Sequence, residues 1–280
     1  MHTRLKALQL KAKHQVYTLL SGHNLSKLHG EGYDFSELRE YQIGDDIRKI
    51  NWTITAKLGK PYIKELHANR ELSIVVACLM DASLYFGPAN SSLVNAKQEK
   101  MTEVATTLAY AAQQNADLFT GLGYTSSQTY ETPPTKQLYP IEQFSKTLFE
   151  LNVLGTTLAK QEAVADIFKR IQKPSLLFIL SDFLEEVDLS LLSQKHEVIA
   201  VIIRNKEEEA MKSLGEVTLH NPHNQDTLET YVGKRTKQVY LEKFIENEQK
   251  RSEHFTRHDI RSVTIYTDEE VVSKLITLFV

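Results

Sequence analysis

Residues 71–87 read ELSIVVACLMDASLYFG. From Leu72 to Met80 the run is apolar apart from Ser73, and it stops at Asp81-Ala82-Ser83. An Ile/Val/Leu run without polar alternation marks a strand covered on both faces, the habit of a central parallel strand in an α/β sheet. Short oxygen-bearing side chains at its carboxyl end fall where open α/β sheets place their ligands. The functional centre is therefore expected at the loop led by Asp81.

Outward from this run the pattern repeats. Pro174 opens a second buried strand, Ser175 to Leu180, which also ends in oxygen-bearing residues, Ser181-Asp182. His196 to Arg204 and Ser262 to Tyr266 read as further strands, and Asp117 to Tyr124 as another. Ser127 to Glu131 reads as a short edge strand, after which Pro133-Pro134 marks a loop. Met101, Val104, Ala105, Leu108, Ala109 and Ala112 recur at helical spacing, which predicts a helix over 97–115. Helices are also expected at 140–151 and 157–171, and from Lys234 to about Phe255. Thr267-x-x-Glu270 has the spacing of a capping box for a final helix with Val272, Leu275, Ile276 and Phe279 facing inward. Strands alternating with helices predict an α/β fold with a doubly wound, mostly parallel sheet. Residues 215–232 read as a polar insertion.

The chain of 280 residues carries a net charge of −3, with 41% hydrophobic and 25% charged residues. Its pI near 6.4 gives no overall drive toward nucleic acid. The lone cysteine, Cys78, lies inside the apolar run and reads as a core residue; with no second thiol to pair with, a reducing, cytoplasmic setting is expected. No apolar stretch approaches the roughly 20 residues a membrane helix needs.

Residues 3–20 read as an amphipathic helix, with Leu5, Leu8, Ala12, Val16 and Leu19 on one side. Arg4, Lys6, Lys11 and Lys13 give it a basic face, so residues 1–20 pack on the domain or touch an anionic membrane surface. Between 30 and 67, charges of both signs alternate with aromatic and aliphatic residues, a pattern that suits ion pairs held against an apolar body. Asp45 or Asp46 with Arg39 or Arg48 is the expected pairing. The expected division is an N-terminal segment, 1–70, packed on a domain of 71–280.

Asp81, Ser83, Thr156 and Asp182 lie on three loops that a parallel sheet would bring to one rim. They are the hard oxygen donors that Mg²⁺ prefers. Gly121-x-Gly123 lacks a third glycine and opens no helix, so it is no dinucleotide site. His220 with His223, and His254 with His258, lack the further ligands of a metal site and read as structural.

The ordered run Gly32-Tyr33-Asp34-Phe35, Leu38-Arg39-Glu40-Tyr41, Gly44-Asp45-Asp46-Ile47-Arg48 and Ile50-Asn51-Trp52 resembles the bacterial "domain of unknown function 58" family. The chain departs from that signature at His29, Asn51 and Lys57. The resemblance implies a von Willebrand A-like domain and a partnership with a MoxR-type AAA+ ATPase. It also implies that Asp81, Ser83, Thr156 and Asp182 correspond to a metal-ion-dependent adhesion site, with Tyr85 where a second ligand serine belongs. The expected function is a non-enzymatic interaction module, an adaptor between that ATPase and a client protein. The alternative is a metal-dependent hydrolase or phosphatase using Asp81 and Asp182, although no histidine lies close in sequence to act as base. The chain has no phosphate loop, no nucleophile elbow and no HExxH motif.

Overall fold

The computed structural model describes residues 2–21, 37–42, 45, 47, 50, 52–65, 72–87, 95–210 and 214–278. The N-terminal amphipathic pattern forms α1 (His2–Ser21), whose Leu5, Ala12 and Val16 are buried. Arg4 and Lys11, on its basic side, reach Glu99 and Glu103 at 2.7 Å each. Strand β1 (Glu37–Glu40) pairs antiparallel with β2 (Tyr62–Glu65), and α2 (Trp52–Leu58) lies between them. Neither β1 nor α2 is marked by a long apolar period. Gly32 to Phe35, Gly44, Asp46, Arg48 and Asn51 fall outside the described residues, as does the Arg39 side chain, so the expected ion pairing lies outside them too. The Asp45 carboxylate accepts the Gln42 N–H at 2.8 Å.

The apolar run becomes β3 (Ser73–Leu79), and the main sheet adds β4 (Leu118–Tyr124), β5 (Thr129–Thr135), β6 (Leu176–Ser181) and β7 (Glu197–Arg204). After a separate antiparallel hairpin, β8 (Gly215–His220) with β9 (Thr227–Val232), β10 (Arg261–Tyr266) completes it. The order is β10-β7-β6-β3-β4-β5, parallel throughout except for β5, which runs antiparallel to β4 at the edge. This is the doubly wound α/β fold the patterning predicts. Helices α3 (Ala96–Gln114), α4 (Leu138–Glu150) and α1 cover one face, and α5 (Lys160–Arg170) covers the other. The short α6 (Ser190–Ser193) and the end of α8 (Lys234–Arg257) join α5, whereas α9 (Val271–Ile276) joins α3. A four-residue helix, α7 (Lys206–Glu209), follows β7.

The unbroken run in β3 now has its reason. Val76, Cys78 and Met80 pack with Met101, Phe119 and Phe144 on one side. Val75, Ala77 and Leu79 pack with Val164, Ile167 and Leu177 on the other. Each Val, Leu, Met or Phe among them contributes about 1.5–3 kcal/mol on burial, and an unpaired polar residue on either face would be costly. Burial also pushes the Cys78 thiol pKa up, consistent with an inert core residue.

Two expectations need correction. Pro133 and Pro134 lie within β5 and not in a loop; the strand is at the sheet edge, and its register shifts where they sit, so the missing N–H groups break no regular ladder. The capping box before α9 does not form: Glu270 is the N-cap without a side-chain bond, and Val271 and Leu275 are the buried positions. The insertion at 215–232 is an ordered hairpin. Among the described residues, no helix is long and apolar enough to cross a membrane.

Candidate functional site

The strand order reverses direction at β3, which has β4 on one side and β6 on the other. In open α/β sheets the crevice at such a switch point, outside the carboxyl ends of the strands, is where ligands bind. Asp81 follows β3 by two residues and Asp182 follows β6 directly, so the topology brings both carboxylates to this crevice. Lys97 and Lys160 stand in the first turns of α3 and α5, which start at the same rim.

Asp81 caps the short turn Ala82–Leu84: its Oδ1 accepts the Ser83 N–H at 3.0 Å and the Ser83 hydroxyl. Its Oδ2 has no hydrogen bond and instead faces the Lys160 ammonium at 3.3 Å. Thr156 meets this loop through its backbone, with Ala82 N–H donating to its carbonyl at 3.2 Å. The Thr156 hydroxyl is turned to the Val153 carbonyl at 2.7 Å. Asp182 Oδ2 lies 3.2 Å from Lys97 and its Oδ1 3.8 Å from Lys160. Lys97 also reaches Glu208 on α7 at 2.6 Å, and Lys160 reaches Glu185 at 3.2 Å.

The electrostatics follow from burial. Withdrawal from water alone would raise the Asp182 pKa, yet Lys97 first, then Lys160, the Ser83 hydroxyl and Arg204, hold it down at about 2. Lys160 is likewise desolvated, but Asp182, Asp81 and Glu185 together raise its pKa, so it keeps its proton. Immediately after Asp182, Phe183 takes a left-handed φ of +48°, uncommon for a bulky residue and of the kind that collects at functional sites.

The model of the family described as "Protein of unknown function DUF58" matches residues 37–253. The chain belongs to the DUF58 family. Uncharacterized proteins of Mycobacterium tuberculosis and Mycobacterium bovis are 25% identical to this DUF58 protein over 223 residues, 78% of the chain and 69% of each relative. Among solved structures it is similar to the conserved hypothetical protein BatB of Bacteroides thetaiotaomicron, at a TM-score of 0.44 and 10% identity over 74% of this chain and 96% of that one. An aerotolerance-related membrane protein of Bacteroides fragilis gives a TM-score of 0.36 at 8% identity, over 67% of this chain and 98% of that one.

The four oxygen-bearing residues do not fit a divalent metal as they stand in this DUF58 protein. Mg²⁺ needs near-octahedral oxygens at about 2.1 Å. Here an ammonium lies between the two aspartates, Ser83 donates to Asp81, and the Thr156 hydroxyl faces away. Tyr85 packs against the core beside Leu84. Among the described residues, no group of three or more His, Cys, Asp or Glu side chains is placed to hold a metal.

Lys97, Lys160, Arg204 and Glu208, all buried, went unmarked in the sequence because each sits at a helix start or strand end where a charge reads as solvated. A lysine at the first turn of a helix that follows or precedes a strand tip was the available signal. His223, read as structural, has that role beside the rim. The hairpin tip bends to the Thr156 loop: His223 Nδ1 lies 2.9 Å from the Thr156 carbonyl and 3.1 Å from the Thr157 hydroxyl, and Gly155 N–H donates to the Pro222 carbonyl at 2.8 Å.

Proposed function

We propose that this protein is a non-enzymatic interaction module, a cytoplasmic adaptor that presents a client protein to a MoxR-type AAA+ ATPase. In this reading the sheet is von Willebrand A-like and its carboxyl-terminal rim, a degenerate adhesion site, is the docking surface. What carries the reading is that the loops led by Asp81, Thr156 and Asp182 adjoin one another while both carboxylates are paired with Lys160 and Lys97. A hydrolase would need a free base and an activated water. Both carboxylates here face lysines, and His223, which reaches this rim, is bonded to the 156–157 loop. The signature between Gly32 and Trp52 supports the ATPase as partner.

The test is co-purification with the MoxR-type ATPase of the same organism, with and without ATP. Association is expected, and Leu154→Glu, which places a charge on an exposed apolar side chain of the rim, should weaken it about tenfold, or ~1.4 kcal/mol. Absence of association in every nucleotide state would refute the adaptor role. Unchanged association of Leu154→Glu would move the docking surface away from this rim.

A further inference from the structure

We propose that the ammonium groups of Lys160 and Lys97 take the place of a divalent cation at this rim, so that the chain's own charges assemble it and it binds no metal. Lys160 lies within 3.3 Å of Asp81 and 3.8 Å of Asp182, side chains delivered by two different strands. A cation bridging those two carboxylates would have to stand where this ammonium stands. Lys97 holds the outer oxygen of Asp182 at 3.2 Å and ties it to Glu208.

Each buried carboxylate already faces an ammonium: Asp81 and Asp182 face Lys160, and Asp182 and Glu208 face Lys97. Three carboxylates at the rim are buried, Asp81 at 0%, Asp182 at 1% and Glu208 at 2% exposure, and three cations are buried with them, Lys97 at 1%, Lys160 at 5% and Arg204 at 1%. A divalent ion could bridge the two aspartates only by displacing the Lys160 ammonium, since two cations crowded there would be strongly unfavourable. Of the hydroxyls that would complete a metal's oxygen shell, Thr156 is turned to the Val153 carbonyl and Ser83 is engaged with Asp81. Glu185, exposed on the outer side, completes the lysine's surroundings. A rim built this way stays assembled in the presence of a chelator, so its contact surface is constitutive and not gated by Mg²⁺.

Thermal unfolding of the whole chain in 5 mM Mg²⁺, in 5 mM Mn²⁺ and in EDTA tests the proposal. A site with a Kd of about 50 μM would raise Tm by about 5–10 °C at that concentration. The wild type is expected to show no shift between the three conditions. Lys160→Ala strands Asp81 without its cation, so it is expected to unfold at lower temperature in EDTA and to recover by about 5 °C in Mn²⁺. Lys160→Arg, which keeps the charge, should remain indifferent to metal. The double variant Asp81→Asn/Lys160→Ala should fold and also ignore Mn²⁺, which separates folding from binding.

A metal-dependent rise in the wild type that disappears in Asp81→Asn would overturn the proposal, and so would a folded Lys160→Ala that ignores Mn²⁺. Should Lys160→Ala fail to fold in either condition, titration of the wild type with Mn²⁺ by calorimetry decides: absence of heat supports the proposal and a saturable site lost in Asp81→Asn refutes it. The readout is metal binding alone. It does not depend on the ATPase, so failure here and failure of the adaptor reading are distinguishable.

Discussion

Asp182 is a buried carboxylate that stays ionised because lysines surround it, and this makes its contribution to stability depend on pH. Its pKa is about 2 in the folded chain against an ordinary value of 3.8. A depressed carboxylate stabilises the fold above its unfolded pKa, and the gain is lost as pH falls through the folded value. The window is therefore about pH 4 down to 2, and the size is about 2–3 kcal/mol. Urea unfolding from pH 6 to pH 2 should show wild type and Asp182→Asn well apart at pH 6 and converging toward pH 2. A gap that stays constant with pH would mean that folding leaves the Asp182 pKa unchanged. Lys160 has the opposite sign: its raised pKa gives a contribution present throughout the neutral range and lost only as pH rises through the folded value, above 10.5.

At the scale of elements, β4 and α4 meet so closely that their contact dictates glycine. A Cβ added to Gly121 would stand 2.9 Å from the Phe144 ring, and one at Gly123 would stand 3.0 Å from Leu148. The pair Gly121-x-Gly123, which carries no nucleotide signature, is thus a seat for the helix. Gly121→Ala forces the ring aside and should cost about 1–3 kcal/mol in chemical denaturation. Phe144→Leu in the same chain should recover part of that loss; no recovery would mean that the backbone of β4, and not the ring, absorbs the strain. The same edge explains why the prolines of β5 are tolerated: an outer strand has one side that needs no partner.

Across the whole molecule, α1 is not an appendage of the sheet. Ala12 and Val16 belong to the same apolar cluster as Met101, Val104 and Phe119. Truncation to residues 71–280 would remove the burial of Leu5, Ala12 and Val16, worth about 3–6 kcal/mol on transfer grounds, and expose the outer side of α3. Lower urea stability and gain of hydrophobic-dye binding are the expected outcomes. A truncated chain as stable as the full one would show that residues 1–70 are a separable unit.

Local chemistry determined the parts that repeat at short period. The double-sided apolar runs specify buried parallel strands, the stripe from Met101 to Ala112 specifies the covering helix, and the short oxygen-bearing residues after Leu79 and Leu180 specify strand tips. These follow from hydrophobic spacing, which a chain carries without reference to distant residues. What occupies the crevice between those tips was decided only by tertiary structure. Lys97, Lys160 and Glu208 lie far apart along the chain and look like ordinary surface charges. Long-range packing alone strips them of water, and burial then obliges each to find an opposite charge.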